Sequence, residues 1–409
     1  MKIAFTTLGC KLNYAETSTY ERGFRAAGLE VVPWREKADL YLVNTCSVTA
    51  TADQKSRSLI RKVHRVNPAA KVVVTGCSAE LRREEIERIE GVWKVFGCKE
   101  KAMVVPDCLK ALGLEAADVP ENAVFGAYST GERTRSFLKV QDGCDNYCKY
   151  CTVPYARGGS RNLPVCECVR MAREIAAQGV KEIVLTGVNT GDFGRTTGES
   201  FLDLLKALNG VDGIERYRIS SIEPNLLSEE IIDWIASGTK FQPHFHIPLQ
   251  TGSDTLLASM GRHYTTEFFA EKLAYIRRVL GDGVFFGIDV MVGLPGETPE
   301  LFDETVAFLK RVRPAFIHVF PYSRRPGTPA AEMPGQVDEE EKKRRVAELE
   351  ELCAQLHEEF VASQKGTRVQ VLFESKEKDG SMGGYSGNYI RVTRPFDPAL
   401  SGRIVEVEL

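Results

Sequence analysis

The chain has 409 residues, 27% of them charged, and a net charge of −3. That length supports two or three domains with substantial cores, and the near balance of charge excludes whole-molecule attraction to nucleic acid or a membrane surface, leaving any polyanion to local patches. Eleven cysteines is an odd number, which would strand one thiol in an oxidising compartment. The start MKIAFTTLGC reads directly as a strand rather than a signal peptide, so the cysteines are expected to be reduced ligands. No apolar run approaches the ~18 residues of a membrane span, and the expectation is a soluble, cytoplasmic protein with no membrane partner.

The first hundred residues alternate apolar runs with helical patterns. Lys2-Ile-Ala-Phe-Thr-Thr-Leu-Gly-Cys10, Asp39-Leu-Tyr-Leu-Val-Asn-Thr-Cys46 and Lys71-Val-Val-Val-Thr-Gly-Cys77 each end in a small polar or glycine residue followed by cysteine, and each reads as a buried parallel strand. Helical patterns run from Ala15 to Ala27, closed by Gly28, and from Ala52 to Val66, closed by Asn67-Pro68. This order predicts a doubly wound parallel α/β domain over residues 1–125, with ligand sites beyond the carboxyl ends of its strands. Cys10, Cys46 and Cys77 all land at that edge, where they would make a three-thiolate cluster site. Free cysteine is also a common small core hydrophobe, and Cys98, Cys108 and Cys353 fit that reading. Cys98 nevertheless follows the strand-like Val95-Phe96-Gly97 and competes with Cys77 as a ligand. The basic run Arg57, Arg61, Lys62, His64 and Arg65 on the second helix either meets phosphates or forms a solvated face.

From residue 136 the polar landmarks again follow strands. Phe137-Leu-Lys-Val140 leads into Gly143-Cys-Asp-Asn-Tyr-Cys-Lys-Tyr-Cys151, a C-x-x-x-C-x-x-C run whose three thiolates can hold three irons of a four-iron cluster and leave one open. Electron-transfer clusters normally use four thiolates, and an open position is where a metal site does chemistry. A zinc knuckle needs four ligands and favours paired C-x-x-C units, and no fourth Cys or His follows within the next dozen residues. Cys166 and Cys168, at the start of the helix Val165 to Gln178, follow no strand end and read as incidental. Five more strand-like runs lead into Thr186-Gly-Val-Asn189, Ser220-Ser-Ile-Glu223-Pro, Pro248-Leu-Gln250-Thr-Gly-Ser253, Gly293-Leu-Pro-Gly-Glu297 and Pro321-Tyr-Ser323. Six such units predict a partial (βα)6 barrel over residues 130–365, with the active site at its carboxyl-end face. Val337 to Lys365 carries Val346, Leu349, Leu352, Leu356 and Phe360 on one helical face, which would pack across the barrel. Beyond Gly366, Arg368 to Phe373, Asn388 to Val392 and Arg403 to Glu408 predict a small antiparallel β-barrel over 366–409.

With these motifs in place the whole chain resembles the radical S-adenosylmethionine (SAM) methylthiotransferases, which place a methylthio group on tRNA or on a ribosomal protein. The resemblance covers both cysteine sets and the runs Leu185-Thr-Gly-Val-Asn189, Ser220-Ser-Ile-Glu-Pro224, His246-Ile-Pro-Leu-Gln-Thr-Gly-Ser-Asp254, Gly293-Leu-Pro-Gly-Glu-Thr298 and Pro321-Tyr-Ser-Arg-Arg-Pro-Gly-Thr-Pro-Ala330. Thr7-Leu-Gly-Cys-Lys-Leu-Asn13 is similar to the branch acting on threonylcarbamoyladenosine at position 37 of tRNA. The isopentenyladenosine branch usually continues Gln-Met-Asn after that cysteine and the ribosomal-protein branch Pro-Lys-Asn, so Lys11 and Asn13 carry the distinction.

The resemblance implies two [4Fe-4S] clusters. One, on Cys144, Cys148 and Cys151, would bind SAM at its open iron and generate the radical that attacks carbon 2 of the adenine; the other, on Cys10, Cys46 and Cys77, would hold the sulfur that a second SAM methylates. It implies SAM contacts from the backbone at Tyr150 to the adenine, from Glu223 or Gln250 to the ribose, and from Asn189, Ser253 and Arg262 to the methionine end. The alternatives are that Glu223 caps a loop, Gln250 and Ser253 satisfy backbone groups, and Arg262 is a solvated surface residue. His244 and His246 read as packed core histidines. The tail resembles the TRAM RNA-binding domain, with Tyr389, Arg391 and Arg394 as stacking and phosphate contacts. Implied partners are the anticodon arm of tRNA, whose loop bases can be splayed out, and an electron donor such as flavodoxin or ferredoxin, the chain itself being a monomer. The alternatives are methylthiolation of isopentenyladenosine tRNA or a ribosomal protein, or an electron-transfer protein carrying Fe-S clusters without catalysis.

Overall fold

The computed structural model describes residues 1–47, 50–120, 123–131 and 134–409. Strands β1 (Lys2–Thr7), β2 (Glu30–Val32), β3 (Leu40–Thr45), β4 (Lys71–Gly76) and β5 (Val92–Phe96) form one parallel sheet in the order β2-β1-β3-β4-β5. Every residue of β3 is buried, as a central strand covered on both faces requires. On one face Val43, Val72 and Val74 pack against Ile60 and Val63 of the helix Ala50–Val66; on the other Leu40, Leu42 and Val73 pack against Tyr20 and Phe24 of helix α1 (Lys11–Ala26). The strand order reverses between β1 and β3, and the ligand crevice of a doubly wound sheet opens at that switch point.

Helix α1 begins at Lys11 rather than at the predicted Ala15. Its first turns look polar, yet Asn13, Glu16 and Thr17 are buried, because α1 packs on the first sheet with one side and on the barrel with the other.

The barrel region comprises β6 (Ala127–Tyr128), β7 (Arg135–Lys139), β8 (Gln141–Asp142), β9 (Arg161–Asn162), β10 (Glu182–Thr186), β11 (Arg216–Ile219), β12 (His244–Gln250), β13 (Phe285–Val292) and β14 (Phe316–Pro321). The six predicted strands are β7 and β10 to β14. They form two hydrogen-bonded sets, β11-β10-β7-β6 and β12-β13-β14. Between β11 and β12, where Pro243 offers no amide donor, the link is a single Tyr217–Phe241 bridge and the bond from Ile222 N to His246 O at 3.1 Å. Alternation divides the strands: Leu138, Ile183, Leu185 and Tyr217 join the core beneath the outer helices, while Arg135, Phe137, Val184, Arg218 and His244 face an interior cavity shared with α1. The short β6, antiparallel to β7, has too few residues for any periodicity to show. The helix Glu339–Ser363 buries Leu349, Leu352, Cys353 and Leu356 in the barrel core, and Ile317 N donates to Cys353 Sγ at 3.2 Å.

The tail folds into β15 (Arg368–Lys376), β16 (Ser381–Ser386), β17 (Arg391–Pro395) and β18 (Ile404–Glu408), an antiparallel sheet in the order β17-β16-β15-β18. This is half a barrel. Two details depart from the sequence pattern. Gly383-Gly384 reads as a turn but lies in β16, paired with strands on both sides, so tertiary pairing overrides propensity. Gly387 and Asn388 form a turn, closed by Tyr389 N to Ser386 O at 3.1 Å, Tyr389 sits at φ 63°, and the strand begins at Arg391. The sheet docks on the barrel through buried arginines: Arg216 donates to Gln370 O at 2.6 Å, and Arg218 to Ser386 O and Gly387 O, both at 2.7 Å. No helix among the described residues is long and apolar enough to cross a membrane.

Candidate active site

The loop after β7 is shaped by its backbone. Gly143 sits at φ 75°, and a Cβ there would collide with the carbonyl oxygens of Gly158 and Gly159, so the loop closes on itself only with glycine at this position. Cys144 N donates to Gly158 O at 3.1 Å and Cys151 N to Cys148 O at 2.9 Å. Val153 N, opening the helix Val153–Arg157, aims at Cys151 Sγ at 3.4 Å. Cys144 and Cys148 are buried and Cys151 is half-buried. Burial pushes the Cys144 thiol up to about 11 and the Cys151 thiol up to about 12, so these sulfurs stay protonated unless a metal draws them into thiolates.

Around the loop the structure joins several of the predicted SAM contacts. Arg262 Nη1 donates to Cys148 Sγ at 3.2 Å, and its Nη2 pairs with Glu223 and with Tyr264 Oη, the latter at 2.9 Å. With its side chain only 4% exposed, Arg262 is not a solvated surface residue; the barrel rim, reinforced by Tyr264 bonded to Pro248 O and Leu249 O, buries it. Glu223 N donates to Asn189 Oδ1 at 3.3 Å, and Asn189 N donates to Gln141 Oε1 at 3.0 Å. Asn189 Nδ2 and Ser253 Oγ are buried without a hydrogen-bond partner among the described residues. Unmet buried donors are costly, and the amino-acid end of SAM offers the acceptors they lack. Gln250 adopts a left-handed φ of 72° at a bulge in β12, a strained position of the kind found at ligand clamps. Tyr150 packs with Met260, Leu294, Tyr322 and Ala330. Donor set and orphaned polar atoms both fit a thiolate-held cluster carrying SAM.

The second cysteine group lies at the switch point. Gly9 sits at φ 104°, and a Cβ there would lie 2.7 Å from Cys46 Sγ, which sets Cys46 against the backbone leading into Cys10. Asn13 ties the strand ends together: its Nδ2 donates to Leu8 O at 2.8 Å and Thr45 O at 2.9 Å, and its Oδ1 accepts from Arg157 Nη2 at 2.6 Å. Arg157 Nε donates to Cys77 Sγ at 3.3 Å. Because Arg157 ends the helix that follows Cys151, one side chain reaches from the barrel loop to the second cysteine group. Cys98 lies beside Cys77. The neighbouring Cys98 thiol, with Arg157 and Lys101, outweighs burial and draws the Cys77 thiol below its ordinary range, while the proximity of Cys77, with burial, holds Cys98 well above it. Of this pair Cys77 is the one that accepts from the Arg157 guanidinium.

Beneath Arg157 lies a buried charge cluster that sequence reasoning missed. Glu16 accepts from Lys101 Nζ at 2.6 Å, Lys139 Nζ at 2.8 Å and Arg157 Nη1 at 3.3 Å, and Asp142 accepts from Lys139 at 2.7 Å and Arg157 at 2.8 Å. Three buried cations and the half-buried Arg161, which meets Asp142 at 3.2 Å, face two carboxylates, and the remaining positive charge adjoins Cys77. The available signal was Lys139, a charged residue inside an apolar strand, since lysine is almost never buried unpaired.

The residues predicted to meet a polyanion divide into paired or inward-facing side chains and exposed ones. Arg57 pairs with Asp53 and Glu85 and His64 with Glu90, while Arg61, Lys62 and Arg65 are exposed. Arg391 pairs with Glu377, and Tyr389 turns inward, stacked on Tyr385 at 4.7 Å and against His244 at 4.6 Å. Arg394 is exposed. His244 also stacks on Phe285, and His246 Nε2 meets Asp289 Oδ1 at 2.7 Å.

Comparison with known proteins follows the same division. An uncharacterised protein family, UPF0004, matches residues 2–97, and the radical SAM superfamily matches residues 138–309. The threonylcarbamoyladenosine tRNA methylthiotransferase MtaB of Bacillus subtilis is 39% identical over 100% of this chain and 93% of its own. Its namesake in Aquifex aeolicus is 37% identical over 91% of this chain and 92% of its own. The tRNA-2-methylthio-N6-dimethylallyladenosine synthase of Alkaliphilus oremlandii is 33% identical over 100% of this chain and 90% of its own. Among solved structures, the radical SAM methyltransferase TsrM of Kitasatospora setae, with cobalamin and a [4Fe-4S] cluster bound, superposes with a TM-score of 0.59 over 81% of this chain and 77% of its own, at 17% identity, a likeness of fold. Identity at this level along its whole length makes the chain a member of the radical SAM tRNA methylthiotransferase family.

Proposed function

We propose that this chain places a methylthio group on carbon 2 of N6-threonylcarbamoyladenosine at position 37 of tRNA. The observation that carries the reading is the pair of three-cysteine groups, Cys144, Cys148 and Cys151 against Cys10, Cys46 and Cys77, spanned by Arg157. Bound SAM and its cluster supply the one-electron chemistry that makes carbon 2 reactive, and the second cluster supplies the sulfur. The chain supplies orientation. Asn189, Ser253 and Arg262 hold the methionine end of SAM, Glu223 or Gln250 its ribose, and the backbone at Tyr150 its adenine. Asn13 and Arg157 fix the second cysteine group relative to the first, so that sulfur and reacting carbon meet in one geometry. Residues 1–125 carry the sulfur site, 130–365 the radical site and 366–409 the module that meets the anticodon arm. A flavodoxin- or ferredoxin-type donor reduces the monomer in the cytoplasm.

The test is an anaerobic assay of full-length protein reconstituted with iron and sulfide, given SAM, a reductant and tRNA bearing threonylcarbamoyladenosine, and read by nucleoside mass spectrometry. The methylthio derivative of that nucleoside is the expected product. Product only from dimethylallyl-bearing tRNA would move the chain to the other branch of the family.

A further inference from the structure

The cavity between α1, the barrel and the tail encloses about 380 Å³, and its chemistry is distinct from either cysteine group, although Cys10 lies on its rim. Its walls carry Lys11, Arg135 and Arg218 and, among the described residues, no aspartate or glutamate. Two of the three cations are already engaged. Arg135 is held by Glu374 at 3.0 Å and Tyr389 Oη at 3.2 Å, and Arg218 by Glu182 at 2.8 Å and two tail carbonyls. Lys11 makes no hydrogen bond or ion pair among the described residues, and Asp289, whose charge reaches it, is occupied by His246. Lys11 is also the first residue of α1, with no acidic residue in that turn. A cation there opposes the helix dipole, so helix stability does not account for it. Two more groups await a partner: Ser220 and His244 line the same cavity, and Ser220 Oγ and His244 Nδ1 are buried without a hydrogen bond among the described residues. One uncommitted cation at an open mouth and two buried orphaned polar atoms in a single cavity describe a receptor for an acidic, hydrogen-bonding group.

We infer that this cavity receives the threonylcarbamoyl substituent of the target adenosine, with Lys11 taking its carboxylate and Ser220 and His244 pairing with its urea and hydroxyl groups. The inference rests on the function proposed above and deepens it by naming the residues that distinguish this substituent from an apolar one. A dimethylallyl group would leave the solvent-facing Lys11 ammonium without its anion and the buried Ser220 Oγ and His244 Nδ1 unmet. Sites built to hydrogen-bond a ligand reject analogues lacking the partner far more strongly than apolar pockets do.

The test compares one tRNA sequence in three forms, with threonylcarbamoyl, dimethylallyl or unmodified adenosine at position 37, binding to full-length reconstituted protein in equilibrium titrations. Wild type is expected to prefer the threonylcarbamoyl form over the unmodified one. Lys11→Met should cut that preference roughly tenfold or more, as for loss of a hydrogen bond to a charged group. Lys11→Arg should restore most of it and Ser220→Ala should lose part. Because the readout is a ratio of two tRNAs on the same protein, an unfolded fraction cancels. A Lys11→Met protein that keeps the wild-type ratio overturns the inference. If wild type methylthiolates the threonylcarbamoyl form while that ratio is unchanged, only this inference fails; if wild type methylthiolates only the dimethylallyl form, the proposed function itself fails.

Discussion

Glu16→Gln is the substitution that most sharply probes how the two cysteine-bearing regions are joined. Glu16 is fully buried on α1 and accepts from Lys101, Lys139 and Arg157 at 2.6, 2.8 and 3.3 Å. The isosteric amide keeps the shape and removes the charge, leaving three buried cations with Asp142 as their remaining carboxylate, which Arg161 also occupies. Removing one partner from a buried ionic group costs about 3 to 5 kcal/mol. At about 1.2 °C per kcal/mol for a chain of this size, the midpoint in scanning calorimetry should fall by about 4 to 6 °C. Glu21→Gln is the internal control: it breaks an exposed pair with Arg25 at 2.8 Å on the same helix, worth under about 1 kcal/mol. The pH dependence has a defined sign. Burial alone would raise the Glu16 carboxyl, but the three cations outweigh it and hold it below the usual carboxylate range. Its contribution is therefore complete above the unfolded value of about 4.3 and disappears as pH falls through the lower folded value. The gap between wild type and Glu16→Gln should hold from pH 7 to 5 and narrow on further acidification. Equal midpoints for Glu16→Gln and Glu21→Gln at pH 7 would show that water, not the protein, solvates these charges.

Replacing Cys144, Cys148 and Cys151 together by Ala should leave one four-iron cluster and abolish SAM cleavage. The triple replacement of Cys10, Cys46 and Cys77 should also leave one cluster yet retain cleavage to 5′-deoxyadenosine, and full iron content in either variant would refute its ligand set. Arg262→Ala removes the group that bridges Cys148 and Glu223 and should weaken SAM binding at least tenfold by calorimetry, unchanged affinity placing SAM elsewhere. Arg394→Ala should lower the salt slope of tRNA binding by about one, while Arg391→Ala, whose guanidinium is paired with Glu377, should change it less; equal slopes for wild type and Arg394→Ala would place the phosphate contacts on another face.

The parallel strands ending at Cys10, Cys46 and Cys77, and the six barrel strands with their polar landmarks, were legible because buried parallel strands are continuous apolar runs and their ligand loops follow at one edge. What stayed hidden depended on contacts between distant segments. The first turn of α1 looks solvated until the barrel covers it, so neither the start at Lys11 nor the burial of Glu16 follows from local pattern. Arg157 reads as one more loop cation until its helix is placed between Asn13 and Cys77. Arg262 has no sequence feature that separates a rim-buried guanidinium from a surface one. Tyr389 sits beside basic residues in sequence, but with its left-handed φ it lines the cavity, stacked on Tyr385 and against His244. Deleting the tail would strip partners from the buried Arg216 and Arg218, so single surface substitutions isolate its RNA contacts better than truncation.

The central claim is tested most directly by nucleoside mass spectrometry of total tRNA from cells with and without the intact gene. Loss of the methylthio form of threonylcarbamoyladenosine, with an equivalent rise in threonylcarbamoyladenosine, is the predicted result. A nucleoside profile that does not change, or one that loses only the methylthio form of the dimethylallyl nucleoside, would contradict it.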